Sequence, residues 1–251
     1  QLHDTTLFNP KFDESLGREF FDLWAAWSGE KTKPAPGDCP SEKTALMRII
    51  PKWRAIKDIP GILPFEDMRE ILKKQDLIVL GHCPCKRSYQ DRACGTPDEA
   101  CLVVGRSAEY NLSRDVGRKL TYQETLDFLD EYDRYAVVNC VINQREVNQL
   151  ICNCHWCCCA SLTKDTARSR FVAEVNPEAC RACRNCADNR CQFGAAQMKY
   201  YPELGEERAY INPELCRGCG SCVISCPSEA RTMKLVQPPE YVPEALGRDY
   251  L

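Results

Sequence analysis

Nineteen of the 251 residues are cysteines, and most stand in short, regularly spaced runs. The C-terminal part reads Cys180-Arg-Ala-Cys183-Arg-Asn-Cys186 with Cys191 beyond it, then Cys216-Arg-Gly-Cys219-Gly-Ser-Cys222 with Cys226-Pro227 beyond that. Three thiolates two residues apart fit one tight loop that wraps a corner of an iron–sulfur cube, with its amides turned toward the bridging sulfides; the fourth thiolate arrives from elsewhere. Two such triplets, each followed by a fourth cysteine, are what a chain must supply to hold two [4Fe-4S] clusters. C-x-x-C pairs also build zinc knuckles, the competing reading, but zinc takes four donors, often as two separated pairs, and has no use for a triplet with a remote Cys-Pro.

Two further cysteine groups lie upstream. Gly81-His82-Cys83-Pro84-Cys85-Lys86-Arg87 is followed by Cys94 and Cys101, and Ile151-Cys152-Asn-Cys154-His155-Trp156-Cys157-Cys158-Cys159 puts five cysteines in eight residues, more than packing explains. With the isolated Cys39 and Cys140 set aside, these nine are enough for two more sets of four thiolates. Adjacent cysteines such as Cys157 and Cys158 point apart, so a single cluster can also draw on both groups. One or two further [4Fe-4S] or atypical iron–sulfur clusters are therefore expected in this region. His82 and His155 each neighbour a cysteine and can replace a thiolate on iron, or simply donate a hydrogen bond. A redox-active dithiol at Cys152 and Cys154 is the alternative to metal there.

Residues 180–226 resemble the bacterial-type ferredoxin with two [4Fe-4S] clusters. In that family the fourth ligand is exchanged between the repeats, so the resemblance implies Cys180, Cys183, Cys186 and Cys226 for cluster one, and Cys216, Cys219, Cys222 and Cys191 for cluster two. Pro227 follows its cysteine as the family pattern expects. Cys191 departs from the pattern: four residues separate it from Cys186, and Gln192 follows it. The wider stretch 45–230, with Gly-His-Cys-Pro-Cys-Lys-Arg and Cys-Asn-Cys-x-x-Cys-Cys-Cys, is similar to a poorly characterised group of anaerobe iron–sulfur proteins in which a cysteine-rich helical module precedes the same two-cluster segment. That resemblance implies electron transfer and fixes no reaction.

The elements that must position these cysteines are partly readable. Leu16, Phe20, Phe21, Leu23, Trp24 and Trp27 recur near helical spacing over 12–30 and Gly29 closes the pattern, so an amphipathic helix is expected whose aromatic face is core or docks on another subunit. Three prolines and a glycine make 31–40 a linker. A second helical pattern covers 41–58, interrupted at Pro51; a helix follows over about 64–74, then a short strand Leu77–Leu80. Thr121 with Glu124 forms a capping box that opens a helix over 121–133, and a strand is expected near 135–142. Residues 196–201 and 208–211 read as a hairpin inserted between the repeats, and the tail from Gln237 reads as extended, packing across its own domain or a partner. Gly218 and Gly220 are expected to let backbone approach the cube. The fold class is α+β: an N-terminal extension and linker over 1–60, a cysteine-rich helical or winged module over 61–160, a ferredoxin-like domain over 161–236 and a tail over 237–251.

A 44% hydrophobic chain of this length can bury a core. The clustered C-x-C and C-x-x-C runs, in an odd cysteine count, suit metal in a reduced, anaerobic and cytoplasmic setting rather than a disulfide scaffold. No charged start with an apolar core and a small-residue cleavage site follows Gln1, and apolar runs such as Leu77–Leu80 are too short to span a bilayer, so a soluble protein without membrane insertion is expected. A net charge of −3 gives no field for nucleic acid, and an iron–sulfur sensor reading DNA with helix 121–133 would set Glu124, Asp127, Asp130, Glu131 and Asp133 against phosphates. Arg181, Arg184 and Arg217 sit beside ligand cysteines, with Arg190 and Arg231 close by; they favour the reduced cluster and an acidic partner, or are ordinary solvated arginines. No G-x-G-x-x-G follows a strand, no P-loop is present, and no base and nucleophile set is marked, so no catalytic residue is assigned. The expected role is a multi-cluster electron relay, acting as subunit or partner of a flavin- or metal-containing anaerobic oxidoreductase. The alternative is a reductase whose N-terminal module holds a substrate-reducing cluster.

Overall fold

The computed structural model describes residues 11, 13–29, 45–88, 95–159, 162 and 166–245. Cys39, Cys94, the linker expected over 31–40 and the end of the tail lie outside the described residues.

Short Val- and Ile-rich runs build a seven-stranded sheet from β1 (Met47–Ile50), β2 (Ile78–His82), β3 (Glu99–Val104), β4 (Arg118–Leu120), β5 (Val138–Ile142), β6 (Leu150–Cys154) and β7 (Thr166–Ala167). Their spatial order is β4-β2-β3-β6-β5-β1-β7. Neighbours are antiparallel except β1 with β7, which run parallel. The chain is thus α+β, but the N-terminal module is organised by a sheet and not, as expected, by helices. The reason is burial on both faces. Every residue of β1 is buried, as are five of the six in β3, so the period-2 alternation of a half-exposed strand is missing and short apolar runs read equally well as helix. The helical pattern at 41–58 resolves into β1, a stop at Pro51 and a single helical turn, α2 (Trp53–Ile56). Strand β1 precedes residues 61–160 and β7 follows them, so the sheet draws its last two strands from the two flanks of the expected module.

One sheet face carries Ile78, Leu80, Leu102, Val104 and Ile151, packed on Met68 and Leu72 of α3 (Met68–Lys73) and on Leu129 of α6 (Tyr122–Tyr132). The Thr121 hydroxyl accepts from the Glu124 amide at 3.2 Å and the Thr121 amide donates to the Glu124 carboxylate at 2.7 Å, the capping box read from the sequence. The opposite face carries thiols. Cys101, Cys152 and Cys140 stand directly opposite one another across β3, β6 and β5, and Cys154 lies two residues along the same face. Two short helices flank this face, α4 (Pro84–Ser88) at its edge and α5 (Gly105–Ser113), whose Ala108 packs on Cys101 and Val103.

The C-terminal part pairs β8 (Phe171–Val175) with β11 (Arg231–Leu235), and the hairpin of β9 (Ala196–Tyr201) and β10 (Glu206–Ile211) lies where the sequence put it. Between the hairpin and β11 runs the one-turn α7 (Ser221–Ile224). Its core is Phe171, Ala173, Ile211 and Met233 packed around cysteines. The two parts are bonded directly: Lys52 N–H donates to the Cys219 carbonyl at 2.9 Å, and Ser221 Oγ to the Val137 carbonyl at 3.3 Å. Arg170 Nη1 meets the Glu66 carboxylate at 2.6 Å with both side chains at most 3% exposed. Burial pushes the Glu66 carboxyl up, and Arg170 opposes that shift. The tail packs on its own chain, with Val242 buried and the Arg145 amide donating to the Pro243 carbonyl at 3.1 Å. Helix α1 (Asp13–Gly29), kinked at Gly17, lies against α4: Arg18 donates to the carbonyls of Arg87 and Ser88 at 3.0 and 2.9 Å, and buried Phe21 stands between the guanidinium groups of Arg18 and Arg87. Part of the aromatic face expected to dock on a partner therefore packs on this chain; the side chains of Trp24 and Trp27 lie outside the described residues.

Removing one member of a buried ion pair strands the other charge. Arg170→Met should lower stability by about 3–5 kcal/mol, read as a reduced denaturant midpoint under anaerobic conditions, whereas breaking the exposed Lys73–Glu70 pair should barely move it.

Candidate functional site

Cys180, Cys183, Cys186 and Cys226 line one cavity, although Cys226 comes from the other repeat. Ala182 and Arg184 have φ of 52° and 61°, and the corresponding Gly218 and Gly220 in the second repeat have φ of 69° and 77°. Both cysteine loops therefore share one left-handed pattern, which turns successive amides toward a common concavity. In the first loop non-glycine residues bear its cost, of order 1–2 kcal/mol each. Arg231, which also lines this cavity, donates from Nη2 to Cys186 Sγ at 2.7 Å, while its Nη1 is buried with no hydrogen-bond partner. Burial pushes the Cys226 thiol up, but hydrogen bonds from Ser228 and the Ala230 amide, with the Arg231 charge, outweigh it and hold Cys226 below the ordinary thiol range.

Cys216, Cys219, Cys222 and Cys191 form a second gathering. Burial raises Cys216, Cys219 and Cys222, Cys219 to about 11, and a negative charge on Cys191 pushes all three further. The extra residue between Cys186 and Cys191 is absorbed by a single π turn over Cys186–Arg190, closed by the Cys191 amide on the Cys186 carbonyl at 3.0 Å. Gln192, where the family pattern has proline, accepts from the Trp156 amide and donates to the Ala136 carbonyl, so this departure joins the cysteine loop to the sheet module. A Cβ on Gly218 would lie 2.1 Å from the Phe171 carbonyl, and one on Gly220 2.8 Å from Ala55 Cβ, so both glycines allow a close approach of other parts of the chain.

A second cavity opens on the cysteine face of the sheet. Cys83, Cys85, Cys101, Cys152, Cys154, Cys158 and Cys159 line it, together with Lys86 and His155. The two upstream cysteine groups thus converge: β2 ends at α4, which delivers Cys83 and Cys85, while β3 and β6 deliver Cys101, Cys152 and Cys154. Cys154 and Cys159 Sγ lie 2.6 Å apart. Hydrogen bonding with Cys140, Cys152 and Cys159, then burial, raises the Cys154 thiol; burial, then the Cys152 charge, raises Cys101; hydrogen bonding with Cys85, then burial, raises Cys83. Cys157 does not line the cavity, and its Sγ is 3.0 Å from His155 Nδ1. His82 is outside the lining and meets Asp98 at 2.9 Å. Cys140, set aside in the sequence as isolated, is fully buried against Cys154 and Cys159; its cross-strand partnership with Cys152 was the available signal. The same packed group includes Phe193, Trp156, Cys191 and Cys219, so the sheet-face thiols abut the second gathering.

Among the described residues no three His, Cys, Asp or Glu side chains are placed to share a single metal ion. In two places cysteines instead line a common cavity, the arrangement that suits a multi-iron cluster held by thiolates. Because its Cβ would strike backbone, Gly218→Ala should cost about 2 kcal/mol or more and release the second loop, seen as a lower melting temperature with loss of iron from the second gathering.

Residues 179–230, about a fifth of the chain, match the family model of the 4Fe-4S dicluster domain. The match encloses the eight C-terminal cysteines and none of the other eleven. No curated protein matches the chain. Among the described residues no helix is long and apolar enough to cross a membrane. The C-terminal segment is similar to a ferredoxin-like iron–sulfur domain with [4Fe-4S] clusters, and that similarity supports a role in electron transfer.

Proposed function

We propose that this chain is a multi-cluster electron relay. Cys180, Cys183, Cys186 and Cys226 hold cluster one; Cys216, Cys219, Cys222 and Cys191 hold cluster two; and a further iron–sulfur cluster occupies the sheet-face cavity, on thiols drawn from Cys83, Cys85, Cys101, Cys152, Cys154, Cys158 and Cys159. The observation that carries the reading is the first cavity, where thiols of two repeats meet around an arginine with an unpaired buried N–H. Such a cluster supplies one-electron transfer; the chain's part is to hold it, bury it and bias its charge. Exposed Cys183, with Arg181 and Arg184 beside it, favours cluster one as the end that exchanges electrons with a redox protein or a flavin- or metal-containing catalytic subunit in the cytoplasm.

Anaerobically purified protein should contain twelve irons with matching sulfide, taking about four per cluster; zinc in their place would overturn the proposal. Cys226→Ser should remove the spectrum of the cluster on Cys180, Cys183 and Cys186 and spare that on Cys216, Cys219 and Cys222. The reverse result would refute the ligand exchange. The protein alone should exchange electrons with a low-potential donor but show no turnover with NADH or NADPH until a catalytic partner is added. Seven cavity thiols exceed the four that a cube takes, which favours one second reading, a reductase acting at the sheet-face site. Substrate reduction by the chain alone, lost in Cys154→Ser, would decide for it.

A further inference from the structure

Lys86 follows Cys85 in α4 and lines the sheet-face cavity. It is 3% exposed; its Nζ donates to the Thr96 hydroxyl and lies 5.5 Å from the centre of the Tyr132 ring. Neither contact is a carboxylate, and a buried cation held by a hydroxyl and an aromatic face is uncompensated. The first cavity repeats the arrangement. Its buried cation, Arg231, touches a cysteine sulfur and keeps an N–H without a partner. Lys52, whose charge reaches buried Cys140, is by contrast paired with a carboxylate, Asp133, at 2.5 Å.

A cube bound by four thiolates is an anion, and it becomes more negative on reduction. A fixed positive charge in the same low-dielectric cavity lowers the cost of the reduced state more than that of the oxidised one. We propose that Lys86 is the built-in counter-charge of an anionic iron–sulfur cluster in the sheet-face cavity and raises its reduction potential. The inference rests on the reading that this cavity holds a cluster, and it makes Lys86 a tuning residue, not a ligand.

The test is a redox titration of the anaerobic full-length protein, followed by electron paramagnetic resonance, in the wild type, Lys86→Met and Lys86→Arg. Lys86→Met should keep its iron and lower the reduced-to-oxidised ratio of the sheet-face centre at least tenfold at fixed solution potential, about 59 mV for one electron. Lys86→Arg should stay near wild type, and the C-terminal centres should not move in either variant. Iron lost from the sheet-face centre in Lys86→Met but kept in Lys86→Arg would also support a need for the charge. An unchanged potential in Lys86→Met, or equal iron loss in both variants, would overturn the counter-charge while leaving the cluster reading intact. A wild type with only the C-terminal centres would instead remove the cluster reading beneath it.

Discussion

A buried thiol surrounded by other thiols does not ionise unaided. Cys101, Cys154, Cys216, Cys219 and Cys222 are all driven toward the neutral form, by burial or by one another. A thiolate can exist there only where positive charge accompanies it, from iron, from inward amides or from a fixed cation. Much of the local architecture follows from that need. The left-handed residues in both cysteine loops turn amides inward, Ser228 and the Ala230 amide donate toward Cys226, and the Ala196 amide donates to Cys191 Sγ at 3.3 Å. Among the described residues Cys226, with donors from Ser228 and Ala230 and the Arg231 charge beside it, is the one shifted thiol held low.

The second organising fact is that the sheet is sealed on both sides by different means. One face is covered by α3 and α6, an ordinary apolar contact. The other is covered partly by α5 and partly by the C-terminal segment itself, through Phe193 and the cysteines around it. Hydrogen bonds from Lys52 to Cys219, from Ser221 to Val137 and through Gln192 then fix the two parts in register. A redox group at the sheet face would therefore sit in a low-dielectric wall shared with the second loop, where bound charges act strongly on one another.

The sequence was most informative where chemistry constrains spacing. The C-terminal triplets, the hairpin and the Thr121 cap were legible because each depends on residues close in the chain. The sheet was not, since strands buried on both faces carry no alternation and β1 pairs in parallel with the edge strand β7 across more than a hundred residues. Cys140 was missed for the same reason: its neighbours Cys152 and Cys154 become neighbours only through strand register. The departure at Cys191 and Gln192 was visible as an irregularity, but its meaning needed the structure. A π turn takes up the extra residue, and the side chain that replaces proline spans to the other module.

The bond from Lys52 to the Cys219 carbonyl also makes Gly220 a hinge point between the two parts. Cys219 belongs to the second loop, and that loop lies against α2 so closely that a methyl group at Gly220 would collide with Ala55. A side chain there would press α2 away from the loop and strain the Lys52 bond beside it, so a change at one glycine of the cysteine loop would be felt in the sheet module as well.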